Sequence, residues 1–468
     1  MTIFVVVAHS LGVISAFAAL MSTRTSQGAI AWIISLLTFP YLAVPAYWVF
    51  GRSKFQGYIT ARRGESAAFR RALAGVAERL KPMRATLSDD RGRVQAMELL
   101  AQLPFARHNT VELLVDGDAT FASIFAGITA ARRYVLVQFY IVKNDELGLE
   151  LQRRLIEKAR EGAKVYFLYD EIGSAGLPRS YVRALREAGV EVSAFQSSRG
   201  RGNRFQINFR NHRKIVVVDG VTGWVGGLNV GDEYMSRDPK FGHWRDTHMR
   251  VAGPAALGLQ LSFLEDWHWA VDRIPDLSWE AKPSDHDVSV LIVPSGPADE
   301  VETASLMFQL AIHAAATRVW IASPYFVPDE GVIGALQLAA LRGVDVRVLI
   351  PDKPDHLLVY YSAFAFARTM LENGIQLYRY GPGFLHQKAF LIDDSVSGIG
   401  TANLDNRSFR LNFEVTAIVV DDRFASDVEE MFLNDFATAH RMSVAELDGR
   451  PWWKAALSRA AYLTAPVQ

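Results

Sequence analysis

Two stretches of the chain carry the same reactive side chains at the same intervals: His212, Lys214, Asp219 and Asn229, and again His386, Lys388, Asp393 and Asn403. In each, lysine follows histidine by two, aspartate follows that lysine by five, and asparagine follows the histidine by seventeen. Each His-x-Lys runs into a short apolar stretch, Ile215-Val216-Val217-Val218 or Ala389-Phe390-Leu391-Ile392, and both predict buried strands. Residues two apart on a strand face the same way, so histidine and lysine project together. The aspartate falls an odd number of positions from its histidine and therefore on the opposite face. Asp219 and Asp393 complete the candidate catalytic set but read as strand-end scaffold more than as reacting groups. Asn229 and Asn403 follow the turns Gly226-Gly227 and Gly400-Thr401, where glycine lets backbone approach a ligand closely. Imidazoles, ammoniums and amides converging from two copies make a cationic pocket suited to a phosphate.

The elements that must position these groups are duplicated too. Residues 133–142 match 318–327, residues 161–168 parallel 342–349, and 188–192 parallel 373–377. Apolar strands alternate with helical patterns ending in glycine, which predicts an α/β fold of two homologous halves with mixed, largely parallel central sheets. The expected organisation is a membrane hairpin over 1–51, a linker or amphipathic region over 52–109, a first half over 110–271 and a connection over 272–287. A second half over 288–440 and a C-terminal segment over 441–468 follow. Asp246 and Glu414 each begin the strand after a motif. A carboxylate there can bond an imidazole nitrogen, fixing its tautomer and raising its basicity; the competing reading for Asp246 is a surface ion pair with Arg245. His243, His248 and His268 lie near Trp244, Trp267 and Trp269 without metal-ligand spacing and read as packing residues, so no metal is expected. His356 reads as a loop histidine. Tyr140 and Tyr325, duplicated at strand ends, suit headgroup contact and core packing about equally.

The paired His-x-Lys-x4-Asp motifs resemble those of the phospholipase D superfamily, in which two such motifs form one active site. The run Gly400-Thr401-Ala402-Asn403-Leu404-Asp405-Asn406-Arg407-Ser408-Phe409 and the N-terminal apolar segments resemble, more narrowly, bacterial cardiolipin synthases. The resemblance implies phosphatidyl transfer without metal or other cofactor. His212 would attack the phosphorus of phosphatidylglycerol and form a phosphohistidine, while His386 protonates the departing glycerol. A second phosphatidylglycerol then takes up the phosphatidyl group. Lys214, Lys388, Asn229 and Asn403 would bind the phosphate, with Asp246 and Glu414 orienting the histidines. Gly227 and Thr401 depart from the commonest superfamily pattern, which often has serine there, and Gly227 removes a hydroxyl from the first copy. A hydrolase would use the same residues with water as acceptor. A phosphodiesterase nuclease and a noncatalytic lipid-binding membrane protein are the remaining readings.

Composition frames the setting. The 468 residues carry a formal net charge of zero and no cysteine, which removes bulk attraction to nucleic acid, disulfides and thiolate chemistry. Residues 1–21 and 28–51 contain no Asp, Glu, Lys or Arg; at ~1.5 Å per residue each is long enough for a ~30 Å hydrocarbon core. A hairpin is expected, with Trp32, Tyr47 and Trp48 as interface anchors. Pro40 and Pro45 would kink its second arm, and re-entry competes with full crossing there. Ala16-Phe17-Ala18 resembles a signal-peptide cleavage site, but the charged n-region is missing. Arg52, Lys54, Arg62, Arg63, Arg70 and Arg71 follow the segment, against a lone Arg24 in the connecting loop. The positive-inside rule then puts the catalytic body in the cytoplasm, and the resemblance implies a multi-pass protein of the bacterial inner (cytoplasmic) membrane. The expected partners are phosphatidylglycerol and the lipid bilayer, with no nucleic acid; nothing in the sequence specifies an oligomer. Arg199, Arg201, Arg204, Arg210 and Arg213 suit anionic headgroups or a solvated loop. Trp452, Trp453, Leu457, Tyr462 and Leu463 suit an interfacial helix or docking on the body.

Overall fold

The computed structural model describes residues 2–23, 25–51, 58, 75–88, 92–196 and 208–465. Arg24, Arg52, Lys54, Arg62, Arg63, Arg70, Arg71, Arg199, Arg201 and Arg204, and most of the 52–109 region up to residue 74, lie outside the described residues.

The valine-rich strand Ile215–Val218 is buried throughout, as its length and branching require. It pairs antiparallel with Thr222–Gly226 on one side and with Tyr134–Phe139 on the other. Ala389–Ile392 repeats the arrangement between Val396–Gly400 and Arg318–Ala322. Asp219 and Asp393 sit in the tight turns between the paired strands, both with φ in the left-handed region, 54° and 51°, which aspartate tolerates better than most residues. Their carboxylates saturate neighbouring backbone. Asp219 accepts from the N–H groups of Arg132, Arg133 and Tyr134 at 2.8–2.9 Å, and Asp393 from those of Ala316, Thr317 and Arg318 and from the Thr317 hydroxyl. Each aspartate thereby clamps its motif hairpin to the start of the adjacent strand.

The two halves share one 16-stranded sheet among the described residues. They join edge to edge where Ala106–Val115 runs antiparallel to Val288–Ser295, with Ala106 opposite Val290. The sheets are mixed, and within each half the parallel pairing of this large sheet is confined to the outer strands: Tyr134–Phe139, Lys164–Asp170 and Glu191–Phe195 in one half, and Arg318–Ala322, Asp345–Pro351 and Gln376–Tyr380 in the other. The expectation of largely parallel sheets fails in the middle. Short turns join the motif strands, and a short turn permits only antiparallel pairing. The helix Ala256–Val271 is buried almost along its length and carries Asp266, which receives Arg213 Nη1 at 3.0 Å and Gln138 Nε2 at 2.7 Å. Its counterpart Asp422–Thr438 carries Asp435, which receives Arg245 and Gln387. Thus the residue between each histidine and lysine anchors its motif to a buried helix.

At the N-terminus Thr2–Ser22 forms one helix, of which Ile3–Ser22 is long and apolar enough to cross a membrane. The expected second arm is instead two helices, Ser26–Thr38 and Pro40–Phe50, separated at Phe39. Proline lacks the N–H that would continue the first helix and suits the first turn of the next. The 13 residues of the first piece reach only about 20 Å. The second piece then turns back along the N-terminal helix. Tyr41 stacks on Phe4 with ring centroids 5.7 Å apart, Trp48 Nε1 donates to Ser15 Oγ at 3.2 Å, and Tyr47 OH lies 3.2 Å from Ser22 Oγ. Phe50 and the turn after Ser22 are consequently at the same end, where Thr25 and Gln27 line a cavity with Glu302, Arg410 and Leu463 of the α/β body. A simple hairpin of two crossings would put that turn on the far side from the body.

Candidate active site

Backbone pairing between the halves brings the motifs together. Arg210–Asn211 pairs in parallel with Asn412 and Phe413 at the start of the strand Asn412–Val420, and His212 N–H donates to Phe413 O at 2.9 Å. Gly383–Leu385 pairs in parallel with His243–Arg245, and His386 N–H donates to Arg245 O at 2.8 Å. Each histidine is therefore docked on the segment of the opposite half that carries the acidic residue. His212 Nδ1 lies 2.9 Å from Glu414 Oε2, and His386 Nδ1 lies 2.8 Å from Asp246 Oδ2. The pairs are crossed: each half supplies the carboxylate for the other half's histidine. With Nδ1 donating to a carboxylate, Nε2 keeps its lone pair for chemistry.

Both carboxylates are fully buried and held by further donors. Glu414 Oε1 accepts from Ser408 Oγ at 3.0 Å and from Asn412 Nδ2 at 3.1 Å. Asp246 Oδ1 accepts from Thr247 N–H at 2.8 Å, and its Oδ2 takes a long bond from Trp244 Nε1 at 3.4 Å. Arg245 pairs with Asp435 and Asp116, so the Arg245–Asp246 surface pair is absent. Gly227 also finds its reason: a Cβ there would stand 2.0 Å from Asp246 Oδ1. In the second half Thr401 fits, and its Oγ1 accepts from Val415 N–H at 2.9 Å.

Burial and mutual charge set the protonation states. Burial pushes His212 down to about 4, with Lys214 and Lys388 adding to the effect and Glu414 opposing it. His386 is also pushed well below the usual histidine value by burial, Lys388 and Lys214. Burial lowers Lys388 to about 8 against the pull of Asp246 and Glu414, and lowers Lys214 well below the ordinary lysine value. Burial raises Asp246. It pushes Glu414 the same way, but His212, Lys214 and Thr401 outweigh it and hold Glu414 below the ordinary glutamate value. Both imidazoles are thus neutral near pH 7, with Lys388 still largely cationic beside them. Lys214 Nζ donates to His212 O at 2.6 Å, and Lys388 Nζ stands 3.1 Å from His386 Nε2.

The asparagines are not equivalent. Asn229 uses its amide on the scaffold, accepting from Ile141 N–H at 3.1 Å and donating to Tyr234 OH at 3.0 Å. Asn403 receives no such bond at Oδ1, which is buried and unpartnered. Tyr140 lies edge-on to His212 at 5.0 Å, whereas Trp244 faces His386 at 5.1 Å. Tyr325 OH donates to Asp355. The other histidines stay apart from this arrangement. His248 is buried, accepts from Leu228 N–H at 3.3 Å and is pushed by burial to about 3; His243 pairs with Asp116 at 2.8 Å; His268 lies on the buried helix; and His356 is exposed. No group of His, Asp and Glu suited to a metal occurs among the described residues. Sequence reasoning missed Ser408, Asn412, Trp244 and Asp355, none of which repeats between the copies.

Two α/β halves that bring together carboxylate-backed histidines and lysines define a phosphoryl-transfer protein of the paired-histidine type. A family profile described as "Cardiolipin synthase, PLD-like domain" matches residues 124–239 and 309–436, and a phospholipase D-nuclease N-terminal profile matches residues 11–52. Cardiolipin synthase A of Pseudomonas fluorescens strain SBW25 is 51% identical over 447 residues, 95% of this chain and 93% of that protein. Cardiolipin synthase A of Pseudomonas putida is 50% identical over 441 residues, 94% of this chain and 92% of that protein. Among solved structures, a phosphatidylserine synthase from Haemophilus influenzae Rd KW20 covers 80% of this chain and 100% of its own, with a TM-score of 0.61 and 16% identity, a likeness of fold. The chain belongs to the cardiolipin synthase family of phospholipase D-like enzymes, a membrane-associated family.

Proposed function

We propose that this chain makes cardiolipin by phosphatidyl transfer between two phosphatidylglycerol molecules, with His212 as nucleophile. The crossed carboxylate–histidine pairs carry this reading. His212 Nε2 attacks phosphorus, the bond from phosphorus to the glycerol oxygen breaks, and His386 delivers its proton to that oxygen. The His386 proton comes with substrate: an anionic phosphate beside the two lysines offsets the charges that add to burial in holding the ring neutral. Glu414 is the more firmly ionised carboxylate and backs the ring that becomes positively charged on attack, which favours His212 over His386 as nucleophile. His386 then takes the proton from a primary hydroxyl of the second phosphatidylglycerol; that oxygen attacks phosphorus, the phosphorus–nitrogen bond breaks, and cardiolipin leaves with His212 restored. Lys214 and Lys388 stabilise the phosphoryl oxygens, and Asn403 Oδ1 offers an acceptor to a hydroxyl. The phosphohistidine retains the energy of the phosphodiester, so no nucleotide donor is needed.

In phosphatidylglycerol vesicles, mass analysis of every product is expected to find cardiolipin and glycerol formed together and in excess over phosphatidic acid, and added glycerol is expected to drive the reaction backwards. Phosphatidic acid dominating at every lipid density, with no effect of glycerol, would replace the synthase by a hydrolase. For the membrane we propose a cytoplasmic body, one crossing by Ile3–Ser22, and a second segment that enters and returns through the break at Phe39. Since the chain has no cysteine, a Thr25→Cys variant labels at one site. It is expected to react with an impermeant thiol reagent only in inverted vesicles; reaction in right-side-out vesicles restores the two-crossing hairpin.

A further inference from the structure

Two positions break the internal symmetry of the pocket on the His212 side. Arg210 precedes His212 by two on an extended segment, so their side chains share a face about 6.6 Å apart along the strand. Its register partner across the halves is Asn412, the residue that donates to Glu414. Arg407 lies on the short helix Asn406–Arg410, next to Ser408, which holds Glu414. Its Nη1 donates to Asn208 Oδ1 at 3.0 Å, so it reaches across to the chain leading into Arg210. Burial lowers the Arg407 guanidinium, and the Arg210 charge beside it lowers it further; both also act on Tyr140, whose ring lies against His212. The matching places in the other half have no such charge. Two before His386 stands Phe384, packed on Trp244 at 4.9 Å, and four after Asn229, where Arg407 follows Asn403 by four, stands Glu233, paired with Lys143.

Two guanidiniums on one half-buried rim suit an anion that bridges them. If this chain joins two phosphatidylglycerols, as argued above, the acceptor carries such an anion: its own phosphate lies five bonds from the attacking hydroxyl, about 6 Å when extended. The hydroxyl must reach the phosphorus held on His212, so that second phosphate falls within reach of a long side chain rooted one two-residue strand step from His212. We propose that Arg210 and Arg407 form a second phosphate site beside His212 that holds the acceptor lipid, making them specificity residues for an anionic acceptor. The aromatic wall of Trp244 and Phe384 offers no equivalent on the His386 side.

The test compares two acceptors in one reaction. Full-length protein in phosphatidylglycerol vesicles with labelled glycerol yields labelled phosphatidylglycerol when glycerol accepts the phosphatidyl group, and cardiolipin when a second lipid does. Arg210→Gln and Arg407→Gln are each expected to lower the ratio of cardiolipin to labelled phosphatidylglycerol about tenfold, and Arg210→Lys to restore most of it. A merely structural role lowers both products alike, so an unchanged ratio overturns the site. If the wild-type protein forms neither product, the transfer reading itself fails and the site falls with it.

Discussion

In the first half, His212 rests on Glu414 amid Tyr140, Arg210 and Arg407; in the second, His386 rests on Asp246 amid Trp244 and Phe384. The backbone device is the same on both sides, a parallel pairing that delivers each histidine to the other half. The surroundings differ in charge, polarity and the ionisation of the carboxylate. Duplication therefore supplies two imidazoles on one backbone device, and in the mechanism proposed above their different surroundings divide the labour between nucleophile and acid–base.

The sharpest way to break this comparison is to remove each histidine. His212→Ala and His386→Ala are both expected to lower cardiolipin formation by roughly 10⁴-fold or more, since neither role has a nearby substitute. A phosphodiester with a p-nitrophenolate leaving group needs no protonation, so His386→Ala should still release a burst of p-nitrophenolate while His212→Ala releases none. A burst in His212→Ala and none in His386→Ala would exchange the assignments.

The carboxylates come next, at about 10²–10⁴-fold. Glu414→Gln should slow the burst with the activated substrate, whereas Asp246→Asn should spare the burst and slow turnover with phosphatidylglycerol. Equal effects of both on the burst would mean that the crossed pairs are functionally alike.

The pH profile distinguishes the lysines from the rings. In the proposed mechanism Lys388 binds phosphate as the ammonium, and burial places its titration at about 8; the charged form prevails below that value and is lost above it. Values of kcat/KM, which report the free enzyme, should therefore fall as pH rises through about 8. The neutral His212, lowered to about 4, should impose no loss between pH 5 and 7. A flat alkaline limb to pH 10 would count against the Lys388 role. The smallest effect concerns Gly227 and Thr401. Gly227→Ser must displace Asp246 and is expected to cost about tenfold in turnover, while Thr401→Ser, which keeps the oxygen that receives Val415 N–H, should cost about twofold or less. The reverse order would show that the carboxylate at Gly227 is free to move.

The α/β halves and the recurrence of the motif were legible because they rest on local periodicity: Ile215–Val218 and Ala389–Ile392 can only be short buried strands. The positions of Asp219 and Asp393 in turns follow from their parity and from the length of those strands. Parallel pairing was overestimated because hydrophobic runs reveal burial and not strand direction; the short turns at Asp219 and Asp393 decide that. Asp246 and Glu414 were legible as candidates for the same reason as the motifs, by recurring in both copies. Ser408 and Trp244 were not, because what sets them apart is the absence of a repeat, and Arg210 was legible only as one member of a basic run suited to anionic headgroups or a solvated loop.

By itself the sequence pointed to the groups of the proposed mechanism, since histidine and lysine two apart in an extended segment leading into a strand share a face. It also determined the two apolar stretches at the N-terminus, since their composition excludes charge over 1–21 and 28–51. The tertiary structure alone decided that His212 belongs with Glu414 and His386 with Asp246, because this pairing depends on strands from residues about 200 and 140 positions apart meeting in parallel across the two halves. It likewise decided that the chain turns back at Phe39 to bring Tyr47 level with Ser22, a matter of where one missing N–H ends a helix and what the next helix then packs against.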